Sequence, residues 1–170
     1  MIMTPFVLKN ISFLANLLDK EDLEDETLSE VKSTKLSNHV VIIGYGRLGW
    51  RISNLLRKQG IEFVAIEADI KTVKDARKKC LPVIFGNAAQ KDILESVNIK
   101  EVTAVIISLG NSQKLYHVCQ VVNDLTHNTK TIVKVDSLED KEDLADLNLT
   151  HIIIETEKTA IAMFNEVMRV

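Results

Sequence analysis

From His39 onward, short apolar runs alternate with stretches whose apolar residues recur at helical spacing. His39–Ile43 (HVVII) is a continuous β-branched run, the pattern of a central parallel strand buried on both faces. It stops at Gly44. Leu48, Ile52, Leu55 and Leu56 then predict a helix, which Gly60 closes. Ile61–Ile66 is the second strand, followed by a helix that Asp69 can cap, with Ile70, Val73 and Ala76 inward and a row of lysines outward. Leu81–Phe85 is the third strand, Thr103–Ser108 the fourth, Thr131–Val135 the fifth and His151–Ile154 the sixth. The intervening helices carry Ile93, Leu94 and Val97, then Leu115, Val118, Cys119 and Val122, then the charged SLEDKEDLADL. A last helix carries Ala160, Ile161, Phe164 and Val167. This alternation predicts an α/β, Rossmann-like doubly wound parallel sheet of six strands, ordered 3-2-1-4-5-6, with the crevice beside strand one.

Ahead of this domain, assigned to residues 38–170, the pattern changes. Met1 to Leu18 is apolar but broken by Lys9, Asn10 and Asn16, so it is neither a spanning helix nor a signal peptide. Val7, Ile11, Leu14 and Leu18 form one helical stripe, which suits packing on the domain or on a second copy, or the end of a membrane-anchored segment. Residues 19–37 are acidic and polar, a linker by composition. Residues 1–37 are therefore expected to form a helix and a linker.

Composition narrows the chemistry. A net charge of −3 gives no basic face of the kind nucleic-acid binders show. Cys80 and Cys119 sit in separate predicted helices and look like small buried hydrophobes, not a disulfide or a metal pair. The four histidines have no partner at ligand spacing, so no metal site is expected.

The glycine loop carries the chemistry. Gly44-Tyr45-Gly46-Arg47-Leu48-Gly49 leaves a buried strand and opens an amphipathic helix, the context that gives GxGxxG its meaning. Gly44 permits the turn, Gly46 a close backbone approach to phosphate, and Gly49 close packing of helix on sheet. The free amides and dipole of the helix start favour an anion. Glu67 follows Gly49 by 18 residues, at the end of strand two, where a carboxylate accepts both ribose hydroxyls and repels a 2′-phosphate. NAD, AMP or ADP is thus expected over NADP; the alternative is a solvated strand-end acid. Ala68 and Asp69 adjoin it, although capping explains Asp69 fully. Asn87 and Ala88 after strand three, and Ser108, Leu109 and Gly110 after strand four, lie where open α/β sheets bind ligands; Gly110 and Asn111 fit equally well as turn residues. Arg47 is a candidate phosphate partner or a solvated arginine. No Ser-His-Asp order, nucleophile elbow or catalytic tyrosine-lysine pair is present, and one helix after strand six leaves little to hold a substrate. A non-catalytic nucleotide sensor is therefore expected ahead of a small NAD-dependent oxidoreductase or a structural dimerisation module.

With these motifs in order, residues 39–169 resemble the regulator of K⁺ conductance (TrkA-N-type) N-terminal domain. The resemblance rests on HVVIIGYGRLG, AIEADI, VIFGNAAQKDILESVNI, AVIISLGNS and TIVKVDS. Arginine within the glycine loop is most similar to the Kef-type K⁺/H⁺ efflux antiporters, and TPFVLKNISFLANLL resembles the exit from their last membrane helix. The resemblance implies a cytosolic regulatory domain of a larger antiporter at the inner face of a bacterial membrane, binding NAD(H) or AMP/ADP and forming homodimers. Leu115, Val118, Val122, Phe164 and Val167 are the candidate interface residues, although ordinary core packing explains them as well. It also implies ligand contact by Lys134, at a position usually held by arginine. Two departures matter. Asn87 replaces the family's aspartate, and the acidic VDSLEDKEDL replaces basic residues that would hold glutathione, which puts glutathione gating in doubt.

Overall fold

In the computed structural model, which describes residues 36–126 and 129–169, the chain folds as strands alternating with helices. The elements are β1 (Val40–Ile43), α1 (Arg47–Lys58), β2 (Phe63–Glu67), α2 (Ile70–Lys78), β3 (Val83–Phe85) and α3 (Lys91–Ser96). A 3₁₀ turn (Ile99–Glu101) leads to β4 (Ala104–Ile107), α4 (Ser112–Leu125), β5 (Lys130–Val135), α5 (Leu138–Glu142), β6 (His151–Ile154) and α6 (Glu155–Val167). The six strands lie in the order β3-β2-β1-β4-β5-β6, and every pairing is parallel. That is the expected doubly wound topology. The stripe of residues 7–18 and the linker up to residue 35 lie outside the described residues.

Every residue of β1 is buried, because helices cover both faces of the sheet's centre. Alternate residues feed two cores. Val41, Ile43, Val64, Ile66, Val105 and Ile107 pack with α3 and α4. On the other face Val40, Ile42, Phe63 and Ala65 pack with Val73 and Ala76 of α2, and Ile52 and Leu56 of α1 join them at the margin.

Several expectations need correction. Leu48 and Leu55 are exposed, because α1 meets the sheet along Gly49 and Ser53. A Cβ on Gly49 would collide with the carbonyl oxygen of Gly44, so the helix lies as near as backbone allows and its buried arc is turned toward that residue. Ile70 is also exposed, while Val73 and Ala76 are buried. Cys80 is not a buried helical residue. It follows α2 in the left-handed conformation (φ 53°) and is exposed; Cys119 is buried. Leu115, Val118 and Val122 belong to this chain's own core, which removes them as interface candidates, whereas Phe164 and Val167 are exposed.

The same device ends α1 and α2. Gly60 (φ 68°) donates to Arg57 O and Ile61 to Leu56 O, which reproduces the Schellman pattern. Cys80 donates to Arg77 O and Leu81 to Ala76 O in the corresponding places.

Candidate functional site

The site begins where β1 ends. Gly44 turns the chain with φ 91°, and a side chain there would meet Ser108 O at 3.0 Å and Leu109 Cδ2 at 3.1 Å. The Ser108 hydroxyl donates to Gly44 O at 3.0 Å, so the start of the loop is fastened to the end of β4. Leu109 packs against the larger core. Gly46 is the N-cap of α1, and a Cβ there would meet nothing within 4 Å. No side chain caps α1, and its first turn carries no acid. By contrast Asp69 caps α2 and Asn111 caps α4. The first-turn amides of α1, with Arg47 exposed beside them, are thus presented to an external anion.

Glu67 closes the other side. Its Oε2 accepts the Tyr45 N–H at 2.7 Å, and its Oε1 accepts the N–H groups of Ala68 at 2.7 Å and Asp69 at 2.9 Å. Three backbone donors fix the carboxylate against the loop and leave the second lone pair of Oε2 for a further donor such as a hydroxyl. Asp69 turns both carboxylate oxygens toward α2, accepting from Lys71, Thr72 N and Thr72 Oγ1. Thr72, through its hydroxyl first, holds that carboxyl below its usual range.

The Tyr45 side chain points away from the crevice. It is buried, with its hydroxyl 3.1 Å from Ser53 Oγ. Ser53 already donates to Trp50 O at 2.8 Å, so the phenol donates to the serine. Burial pushes the phenol above its ordinary pKa. Outside the loop lies a groove of about 410 Å³ between α1 and α2, lined in part by Arg47, Trp50, Thr72 and Lys79.

After β3, Gly86 donates to Glu67 O at 2.9 Å, which sets the Gly86–Ala88 turn beside the acid. Ala88 is buried. Asn87 is exposed, and its Oδ1 accepts the Ala89 N–H at 3.0 Å, so its Nδ2 faces outward as a donor. Phe85 pairs in register with Glu67 on the edge strand and is 45% exposed, an aromatic neighbour of the acid that spacing alone did not single out. Gly110 has open space around it.

The structure therefore gathers Gly44–Gly49, Glu67–Asp69, Asn87–Ala88 and Ser108–Gly110 at the carboxyl ends of neighbouring strands. Lys134 stands apart, on β5, with β4 between it and β1. Its Nζ lies 2.8 Å from Asp136 Oδ1 and 3.4 Å from Glu155 Oε2, and its side chain is 14% exposed. Burial pulls this ammonium down, but the two carboxylates outweigh it and hold it above its ordinary value. Among the described residues no group of three His, Cys, Asp or Glu could hold a metal ion, and no helix is long and apolar enough to cross a membrane.

Comparison with known proteins agrees with the fold. The family model of the TrkA-N domain matches residues 40–155. The chloroplastic K(+) efflux antiporter 2 of Arabidopsis thaliana is 25% identical over 163 residues, covering 96% of this chain and 14% of that protein. The chain thus corresponds to a small part of that relative's length. The AMP-bound Kef C-terminal domain of Shewanella denitrificans superposes with a TM-score of 0.63 at 23% identity, covering 78% of this chain and 80% of that one. The GsuK channel bound to NAD gives a TM-score of 0.68 at 16% identity, covering 86% of this chain and 26% of that one.

Proposed function

The chain belongs to the TrkA-N domain family, whose relatives here include a K(+) efflux antiporter and a Kef C-terminal domain, and from that premise we propose that it is the nucleotide-sensing domain of a Kef-type K⁺/H⁺ antiporter. One observation carries the reading: Glu67 is held by three backbone amides directly across from the uncapped start of α1. A ribose hydroxyl at the remaining lone pair of Glu67 Oε2 and a phosphate at the amides of Arg47, Leu48 and Gly49 satisfy both ends of that arrangement. Arg47 supplies a second charge to the phosphate, and Asn87 Nδ2 and Phe85 flank the base. Ala68, Asp69, Ala88, Leu109 and Gly110 shape the walls. The ligand is NAD(H) or AMP/ADP, matching the AMP and NAD named for the two related structures. It acts as a signal and not as a reagent, a reading supported by the crevice's carboxylates being engaged already, Glu67 by three backbone amides and Asp69 by the start of α2.

The signal passes to a membrane-embedded antiporter portion of the same protein at its cytoplasmic face, and a second copy covers α6. Ala160, Met163, Phe164, Val167 and Met168 recur at i, i+3, i+4, i+7 and i+8, and α6 buries none of its residues. A ligand shifts such an assembly only by its differential affinity for the two states.

Thermal denaturation with AMP, ADP, NAD, NADH and NADPH tests the proposal. A ligand at a hundredfold excess over its Kd adds about 2.7 kcal/mol, so AMP or NAD(H) raises Tm clearly and NADPH less. No stabilisation by any of the five overturns it.

A further inference from the structure

His39 is 0% exposed and takes no part in the nucleotide crevice. It immediately precedes β1, at the opposite end of the strand from the glycine loop. Its Nε2 lies 3.0 Å from the carbonyl oxygen of Val97. A carbonyl only accepts, so Nε2 carries a proton, and the neutral ring leaves Nδ1 as a bare acceptor. Nδ1 is buried and, among the described residues, has no hydrogen-bond partner. An unpartnered lone pair there is tolerable, but a second proton would place a charged N–H in the core with no acceptor among the described residues.

The same few residues hold the chain's entry to the domain. Asn98, next to Val97 and in the left-handed conformation (φ 54°), donates its Nδ2 to Leu36 O at 2.8 Å. Asn38 N–H donates to Glu101 O at 2.9 Å, and Thr103 N–H to His39 O at 2.8 Å. The turn that receives the imidazole thus also grips Leu36. We propose that His39 makes this clasp proton-sensitive: a neutral ring closes it, and protonation opens it and frees residues 36–38 from the base of the sheet.

The charged groups around it do not reverse that expectation. Glu95 on α3, Lys100 and Glu101 on the 3₁₀ turn, and Asp124 on α4 are all exposed. Burial is the largest influence on the ring and lowers its pKa, while the hydrogen bond to Val97 and the charge of Glu62 at the entry to β2 oppose it. With the folded-state pKa depressed, the closed clasp is fully stable above about pH 6.5 and weakens as pH falls from there toward the folded value. The proposal does not depend on the nucleotide reading.

The test is amide exchange on the full 170-residue chain, with the exchange of Asn38 and Thr103 expressed as protection factors between pH 7.5 and 5. Protection of these two amides falls with a slope approaching about tenfold per pH unit below pH 6.5. Val105, in the middle of the sheet, stays protected, and in His39→Gln the pH dependence of Asn38 and Thr103 vanishes. Flat protection in the wild type, or the same fall in the variant, overturns the proposal. Should His39→Gln fail to fold, ring NMR of the wild type decides. An Nε2–H tautomer titrating below the ordinary imidazole range supports the clasp, and titration at or above that range sinks it.

Discussion

The Tyr45 N–H donates to Glu67 Oε2 at 2.7 Å, joining the first amide after Gly44 to the carboxylate at the end of β2. The acid's position therefore depends on the loop's conformation, and the loop's on the acid. Glu67→Gln keeps the shape but puts an amide NH₂ against at least one backbone donor. Hydrogen bonds to charged groups are worth about 1.5–3 kcal/mol. AMP and NADH should bind about tenfold to a hundredfold more weakly by titration calorimetry, and the loop should lose protection in hydrogen exchange.

Gly46 and Gly49 should respond oppositely to alanine. At Gly46 the backbone is extended (φ −69°) and a methyl group meets nothing, so Gly46→Ala should change stability by less than about 1 kcal/mol. The same methyl occupies the space a phosphate approaches, so nucleotide affinity should drop about tenfold. At Gly49 the methyl runs into the Gly44 carbonyl, so Gly49→Ala should cost about 3 kcal/mol, the upper end of the usual overpacking range, in urea unfolding, with weak binding a secondary effect. Equal stability of the two variants would contradict this assignment of roles.

The sheet was legible because β-branched runs such as Val40–Ile43 bury on both faces whatever surrounds them. The glycine loop was legible because its geometry needs particular residues. What escaped was whatever depends on rotation or on a backbone partner. Leu48 and Leu55 share helical spacing with Ile52 and Leu56, but contact at Gly49 turns the helix and leaves both exposed. The amide of Tyr45, which orients Glu67, has no side-chain signature. The resemblance implies ligand contact by Lys134, but its ion pair with Glu155 has no sequence signature, because that acid lies 21 residues away and reaches it only once β6 pairs with β5.

The two cysteines should separate cleanly in a thiol assay. Cys80 is exposed and should react at once with an aromatic disulfide reagent. Cys119 is fully buried, and burial pushes its thiol up to about 12, so it should react only after unfolding. Cys80 also holds the left-handed position that Gly60 fills at the end of α1. Cys80→Gly relieves that strain at some cost in chain entropy, for a net gain of up to about 1 kcal/mol, read as a rise in Tm.

Lys134 ties β5 to the start of α6 through Asp136 and Glu155. Its raised folded pKa means that this stability is fully present below the ordinary lysine value and is lost only as pH rises above it. At neutral pH, Lys134→Met should therefore cost stability, about 1 kcal/mol after allowance for the half-exposed carboxylates. Exchange at the first turn of α6 should rise. AMP affinity should change by less than about twofold, since the cation is already committed to two carboxylates.

The stripe on α6 should govern assembly. Phe164 is 62% exposed and Val167 70%, on a helix with no buried residue, and large apolar side chains clustered in water mark a surface that another protein covers. Two copies meeting there would bury both stripes against each other, the self-complementary arrangement a two-fold axis produces. The wild-type chain should sediment as a dimer at micromolar concentration. Phe164→Asp with Val167→Asp should shift it to monomer while leaving Tm nearly unchanged at low concentration, because neither side chain belongs to the core. Residual dimer in the double variant would place the contact elsewhere. A large loss of Tm would instead show that α6 packs on its own domain.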